Sequence, residues 1–438
     1  MMRAVSLRAP RREVAAWCLY DFADSSFTTL IVTLSYALYF RGVVAADRGA
    51  AASTYWGASI SASMAIVALL APLLGAAADY GGRKKLFLAL CAGTTITFTA
   101  LLRFVGPGDV ALGVGLFILA NVGYEAAHTF YNGFLPEIAS DEEMGRVSGY
   151  GWAIGYLGGL AALLASLPLT LGGYGPDNID RYRWTFPLVS LFYLLFALPI
   201  FLILKERAPR RPLRFTAMVA EGTTRLAGTL RSVRHYPDLV RFLLAFLIYN
   251  DGVMTVIAFA AIYAQNVIGF TLKQVLLLFV VTQLTAFAGA FGAGWMVDRI
   301  GPRRTILITL ALWIVVVVAA YLSRTVTQFF IASVGASIGM GSTQTASRSL
   351  MGLLVPPGRS AEFFGFYGLT GKVSAIFGPL AFGAVAGWAG SERPAVLSVI
   401  PFYIVGFLLL LRVDVTRARA ASGRSPDTAD AVTAGVAS

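Results

Sequence analysis

Apolar residues run along this chain in stretches of roughly 20, parted by short polar turns. A helix rising 1.5 Å per residue crosses a ~30 Å hydrocarbon layer in about that length. The stretches are continuous and lack the ~10-residue alternation of a membrane β-barrel. The pattern predicts spans at 17–40, 55–78, 86–104, 110–135, 147–171, 185–204, 240–266, 274–297, 304–322, 326–355, 362–388 and 394–411. The predicted fold is an all-α polytopic membrane protein with twelve transmembrane helices.

The polar punctuation repeats. Gly75-Ala-Ala-Ala-Asp79-Tyr-Gly-Gly82-Arg83-Lys84-Lys85 returns 219 positions later as Gly294-Trp-Met-Val-Asp298-Arg-Ile-Gly301-Pro-Arg303-Arg304. The same offset carries Glu125 onto Gln344, Gly133 onto Gly352 and Gly159 onto Gly378. It slips in the first helix, where Tyr20-Asp21 matches Tyr249-Asn250-Asp251. Two pseudo-symmetric six-helix bundles in parallel orientation follow, with a binding site expected near the midplane between them. The predicted division is 1–204 for the first bundle, 205–238 for a linker, 239–412 for the second bundle and 413–438 for a disordered tail. Apolar residues from Phe215 to Val233 recur at helical spacing, so the linker is expected to carry a helix lying on the membrane surface. Gly151, Gly155 and Gly159 share a helix face, with Gly378-Pro379-x-x-x-Gly383 as the partner feature; tight helix packing alone is the plainer reading, and a bendable seam between the bundles is the alternative.

Of 438 residues, 57% are hydrophobic and 13% charged, which excludes an ordinary soluble domain. The net charge of +12 invites nucleic acid as a partner until the positives are placed. Loops on one face, with both termini, hold 26 of the 35 Lys and Arg. The basic balance therefore reads as topology, with both termini cytoplasmic, and not as nucleic-acid binding. No cleavable signal is visible, and a bacterial inner (plasma) membrane is the expected location. The two cysteines, Cys18 and Cys91, read as structural thiols. No Walker loop, metal-ligand spacing or nucleophile with a nearby base appears, so no enzyme, metal or cofactor is expected.

The duplicated loop resembles that of the major facilitator superfamily. Longer stretches resemble its vacuole-effluxer, autophagy-related permease-like branch: Trp17-Cys-Leu-Tyr20-Asp21-Phe-Ala-Asp24-Ser25, Tyr131-Asn132-Gly-Phe-Leu-Pro136-Glu137, Arg146 through Gly159, Tyr249 through Gly252, Ser347-Arg348-Ser349 and Glu362 through Lys372. Asp24 stands where that branch usually has Asn, and Glu125 where it usually has Gln. Both departures add a carboxylate, which leaves the coupling ion open. The resemblance implies transport more firmly than cargo. Fungal members are associated with export of amino acids from the vacuole.

Intramembrane charges cost about 2.5–3.5 kcal/mol each on insertion scales and normally face a cavity or one another. Asp21, Asp24, Glu125, His128, Asn250, Asp251, Gln344 and Lys372 are the candidate substrate and ion-coupling residues. Glu125 and Asp251 are expected to line the central cavity from opposite halves. Lys372 offers a cation for a substrate carboxylate or for one of these acids; a static ion pair holding helices in register is the plainer alternative. His128 follows Glu125 at i+3, so a Glu–His relay is conceivable beside a simple packing histidine. Gly75, Asp79, Gly82, Arg83, Lys84, Arg146, Asp298, Gly301, Arg303, Arg304 and Arg348 are the candidate cytoplasmic gate, which the resemblance implies closes one side. Arg146 and the acidic loop Glu137 to Glu143 are the expected partners of the two aspartates.

The function expected is secondary active transport of a small organic solute, coupled to a proton or ion gradient, exporting amino-acid-like metabolites as a monomer in the lipid bilayer. A drug or xenobiotic proton antiporter and a transport-inactive solute sensor are the competing expectations.

Overall fold

Polar turns end the helices where the chain supplies breakers, and both copies of the repeated loop turn on a glycine. Gly82 and Gly301 have φ of 62° and 87°, a left-handed conformation that side chains with a Cβ resist. The computed structural model describes residues 8–49, 51–175, 177–211, 215–231 and 235–421. Among the described residues twelve long helices of the two halves run in order. The first six are α1 (Arg11–Val44), α2 (Ala51–Gly81), α3 (Lys84–Phe104), α4 (Val110–Ile138), α5 (Met144–Thr170) and α6 (Ile179–Ile203). The second six are α7 (Pro237–Ile268), α8 (Lys273–Ile300), α9 (Pro302–Leu322), α10 (Val326–Leu354), α11 (Ser360–Ala389) and α12 (Glu392–Leu411). The described residues contain no strand.

Eleven of these helices are long and apolar enough to cross a membrane. The exception is α10, whose stretch from Ser342 to Ser349 is almost wholly polar. All of those polar side chains but the half-buried Gln344 are buried in protein, so this stretch of α10 is kept from lipid. Large apolar side chains instead face outward, Leu69, Leu171, Leu202 and Trp388 among them. Each half has its own aromatic core. Trp17, Tyr20, Tyr36 and Phe117 lie in the first, and Phe242, Tyr249, Trp313 and Tyr403 in the second.

The halves meet through α5 against α8, α2 against the first part of α11, and α10 against α5. Glycines make these contacts close. A Cβ on Gly149 would lie 2.7 Å from the Ala290 carbonyl oxygen, and one on Gly294 2.9 Å from that of Gly145. The glycines singled out from the sequence do something else. Gly155 and Gly159 receive Ser25 and Thr29 of α1, while Gly378 receives Thr255 and Asp251 of α7. Gly155 and Gly378 thus pack helices within a half, whereas a Cβ on Gly151 or Gly159 would also lie 2.6 Å from Arg348 or 3.1 Å from Gln283 of the opposite half, beside the close seam at Gly145, Gly149 and Gly294.

Three of these helices, α1, α7 and α11, depart from regular geometry in ways that bear on the site. α1 carries π-helical turns at Phe27–Thr33 and Phe40–Val44, and α7 ends in one at Ala264–Ile268. α11 is interrupted between Val373 and Phe377. Asn250 and Asp251 of α7 hold that interruption. The Asn250 amide donates to Ser374 Oγ at 2.5 Å, and the Asp251 carboxylate accepts the Phe377 and Gly378 N–H groups at 3.0 and 2.8 Å. A carboxylate at a helix N-terminus satisfies donors that the helix itself leaves free.

The linker forms a helix at Phe215–Arg231. It packs on α2, with Gly222 against Ala77 and Met218 buried at Gly81. Its far end reaches α11, where Arg225 Nε lies 3.3 Å from Glu362. The expected contribution of Val233 lies outside the described residues. The tail expected to be disordered after Arg412 is helical at Val415–Ala421, where Arg417 reaches Asp238 at 2.6 Å; residues 422–438 lie outside the described residues.

Candidate functional site

On the face that carries the chain ends, two carboxylates of the repeated loop cross between halves. Asp79, at the end of α2, accepts the Glu362 N–H at 2.8 Å, in the first turn of α11. Asp298, at the end of α8, accepts the Gly145 N–H at 2.8 Å, in the first turn of α5. Each thus caps a helix of the opposite half, where the macrodipole favours a negative charge. Side-chain pairs reinforce them. Arg146 Nε lies 2.6 Å from Asp298 and its guanidinium 3.1 Å from Glu143. Lys84 lies 3.5 Å from Asp79, pairs closely with Glu137 and donates to Ser360 Oγ at 2.8 Å.

A third tie is buried deeper. Arg348 of α10 is 2% exposed and reaches into the first half. It donates to Asp21 at 3.1 Å, to the Ser148 carbonyl at 2.6 Å and to Asn132 at 3.4 Å. Its guanidinium carbon lies 4.9 Å from the rings of both Trp17 and Trp152, an arrangement that adds cation–π attraction. Tyr131, stacked on Trp17, donates to the same Asp21 oxygen at 2.8 Å. Asp21, expected among the coupling residues, is thus spent on this closure. Of the expected gate residues, Gly75, Asp79, Lys84, Arg146, Asp298 and Arg348 meet the opposite half. Gly82 and Gly301 shape the turns, and Arg303 ties α9 to the end of α12 within its own half. Arg83 and Arg304 make no ion pair among the described residues.

Replacing Asp79 by Asn keeps an acceptor for the Glu362 N–H but removes the charge that faces Lys84 and the α11 dipole. A shift of about 1 kcal/mol, roughly fivefold, toward separation of α2 from α11 is expected. Spin labels at the ends of these two helices would read it as a longer distance; an unaltered distribution would count against the latch.

Roughly midway along the helices lies a second polar cluster. Glu125 of α4 and Lys372 of α11 form an ion pair at 3.0 Å across the halves, with 18% and 13% of their side chains exposed. Lys372 is near the end of the first part of α11, where the helix dipole favours a cation. His128 Nε2 lies 3.3 Å from Asp24, and its Nδ1 lies 3.1 Å from the Tyr124 carbonyl. Of the two readings of His128, relay partner of Glu125 or hydrogen-bonded packing residue, these contacts fit the second, with Asp24 of α1 as its side-chain partner. Tyr124 and Thr28 share a hydrogen bond of 2.5 Å beside them. Tyr156 of α5 donates to Gln344 of α10, a further polar contact between the halves.

Asp251 is not part of this cluster. It is 1% exposed and engaged at the α11 interruption, so it does not face Glu125 from the opposite half as expected. Asn250 is engaged there too. The sequence signal that Asp251 gave was a charge inside a span; the structure uses that charge to end a helix.

Several contributors were missed from the sequence. Trp17, Tyr131, Ser148 and Trp152 form the Arg348 cage, and Glu362 gathers Arg225 and Arg359 at 3.3 Å each. Glu362 was discoverable, since it lies 219 positions after Glu143, which flanks the other latch. Beyond the cluster, the second half encloses a cavity of about 330 Å³ walled mostly by apolar side chains, Phe259, Phe279, Trp313, Phe329 and Phe382 among them.

Comparison with known proteins agrees with this architecture. An uncharacterized MFS-type transporter of Bacillus subtilis (strain 168), YxiO, is 29% identical over 403 residues, covering 90% of this chain and 93% of that protein. Autophagy-related protein 22 of Coccidioides immitis (strain RS) is 22% identical over 530 residues, covering 93% and 87%. The crystal structure of the human organic anion transporter MFSD10 (TETRAN) superposes with a TM-score of 0.73 at 18% identity, over 92% of this chain and 100% of that one. The E. coli fucose:proton symporter FucP gives 0.69 at 14% identity, over 92% and 98%. These two structures establish the fold, that of the major facilitator transporters. A family model described as vacuole effluxer Atg22 like matches residues 43–423. The chain is a membrane transporter of the major facilitator type and belongs to the vacuole effluxer Atg22-like family.

Proposed function

We propose that this transporter moves a small organic solute by alternating access, with proton coupling, and exports amino-acid-like metabolites. The observation that carries the proposal is the Glu125–Lys372 pair, a charge contact between two halves that are otherwise tied at the chain-end face. Rocking one half on the other must remake that pair and release the Asp79, Asp298 and Arg348 ties. The excess of Lys and Arg on the chain-end face supports a cytoplasmic assignment for it, and hence a state closed to the cytoplasm. An inner plasma membrane and a monomeric carrier complete the proposal.

A polar solute suits the centre because it offers both charge signs and several neutral hydrogen-bonding groups within one cluster. That one structural neighbour is described as an organic anion transporter is in keeping with a cation at the binding point. The apolar cavity of about 330 Å³ favours a second reading, a drug-type proton antiporter. Reconstituted vesicles carrying an imposed pH gradient separate these outcomes. Saturable, gradient-driven flux of amino acids is expected. Flux of apolar cations alone would favour the antiporter, and solute binding without any flux would make the protein a sensor.

A further inference from the structure

Lys372 has room beside it. Gly368 precedes it by four residues and so lies on the same helix face. A Cβ at Gly368 would find a single atom within 4 Å, Lys372 Nζ itself at 3.8 Å. An ammonium has three donors, and among the described residues Glu125 is its one ion-pair partner. The end of the first part of α11 adds partial negative charge beneath it. The ammonium therefore faces open space on one side and a single carboxylate, reaching over from the other half, on the other.

We propose that Lys372 is the binding point for a carboxylate on the cargo, and that Glu125 is the resident carboxylate it displaces. This rests on the reading of the centre as the cargo site. Glu125 takes up one proton from the aqueous cavity and becomes neutral, its contact with Nζ parts, and the cargo carboxylate takes that place. The centre holds one positive and one negative charge before and after. Two carboxylates on one ammonium would leave a net charge in a poorly solvated site, which is strongly unfavourable. Binding of the anion is thus tied to binding of a proton, and the two cross in the same direction. Cargo accumulated on one side leaves with a proton. Gly368 sets the space available next to the carboxylate.

Other titratable groups surround the pair. They are Asp24 on α1 and Tyr124 and His128 on α4, each within electrostatic reach of Glu125, with Asp21 on α1 and Arg348 on α10 acting on these groups in turn. Asp24 is engaged with His128, and Asp21 with Arg348. Glu125 is the acid in contact with Lys372.

The test is equilibrium binding to the purified full-length protein in detergent, by calorimetry and thermal shift. The probes are acetate, isovalerate and phenylacetate, with methyl isovalerate and isobutylamine as uncharged and cationic controls. In the wild type, carboxylate affinity is expected to fall about tenfold per pH unit above the titration midpoint. Glu125→Gln should bind the carboxylates at every pH with the wild type's low-pH affinity. Lys372→Met and Gly368→Val should lose them, while Lys372→Arg keeps them, and the probe-free melting temperatures report which variants are folded. Wild-type binding that ignores pH overturns the proposal, as does loss of binding in Glu125→Gln or a pH slope that survives there. Carboxylate binding that persists in folded Lys372→Met, or absence of carboxylate binding at any pH, also overturns it. Flux is not needed for this experiment. A protein that binds in this way yet moves nothing would sink the carrier reading alone, and a carrier whose binding ignores pH would sink only this inference.

Discussion

Arg348→Ala is expected to lower stability by about 3–5 kcal/mol, because it strips a buried carboxylate of its charge partner. Asp21 would keep the Tyr131 hydroxyl but lose the guanidinium, and the Ser148 carbonyl and the two indole rings would lose their occupant. Nothing nearby can move in, since Gly151 already lies against Arg348, Asp21 and Trp17. The double variant Asp21→Asn with Arg348→Met removes both charges at similar volume and should recover most of the loss. Thermal unfolding of Asp21→Asn, Arg348→Met and the double variant gives the coupling energy directly. A loss in the double variant equal to the sum of the two single losses would show that the pair contributes little. Because Arg348 also ties the halves together, its removal should raise alkylation of Cys18, which is buried one residue beyond Trp17.

Glu125→Gln is expected to erase accumulation driven by a pH gradient while sparing exchange of labelled for unlabelled cargo. A gradient of one pH unit is worth about 1.4 kcal/mol per proton, or about tenfold accumulation for a carrier coupled to one proton. The variant should equilibrate its cargo and no more. Exchange should persist because a glutamine amide never holds Lys372 as a charge, so the cargo meets a vacant cation in both orientations. Gradient-driven accumulation that is unaltered in Glu125→Gln would remove this residue from coupling and shift attention to the Asp24–His128 pair. Lys372→Met should instead lose exchange and accumulation together, since it leaves Glu125 without a partner and the cargo without its cation.

Both expectations begin from charges visible in the sequence, yet their partners were not. Glu125 and Lys372 stood out because ionisable groups inside apolar runs are expensive; that the two meet each other depends on how α4 and α11 sit across the boundary between the bundles. The same holds for Asp21. Its position in α1 suggested a coupling acid, whereas packing of α10 against α5 carries Arg348 to it. Asp251 is the clearest case of a misleading signal. A charge in the middle of an apolar helix can face a cargo or cap an interrupted neighbour, and the linear pattern is identical for both. His128 has Asp24 as its side-chain partner, because the i+3 spacing from Glu125 places two side chains near each other without deciding which neighbouring helix supplies the better partner.

Local chemistry by itself determined twelve long helices, the duplication, the linker between halves, and the two Gly-x-x-x-Asp turns whose carboxylates sit at helix ends. These follow from residue spacing within one helix or one turn, where the backbone fixes the geometry. The tertiary structure alone decided which charges meet and which helix is broken. It also brought the linker helix under α2 and α11 and ran the close seam through Gly145, Gly149 and Gly294. Each of those depends on contacts between residues far apart in the chain, and a buried charge takes its role from the group that neutralises it.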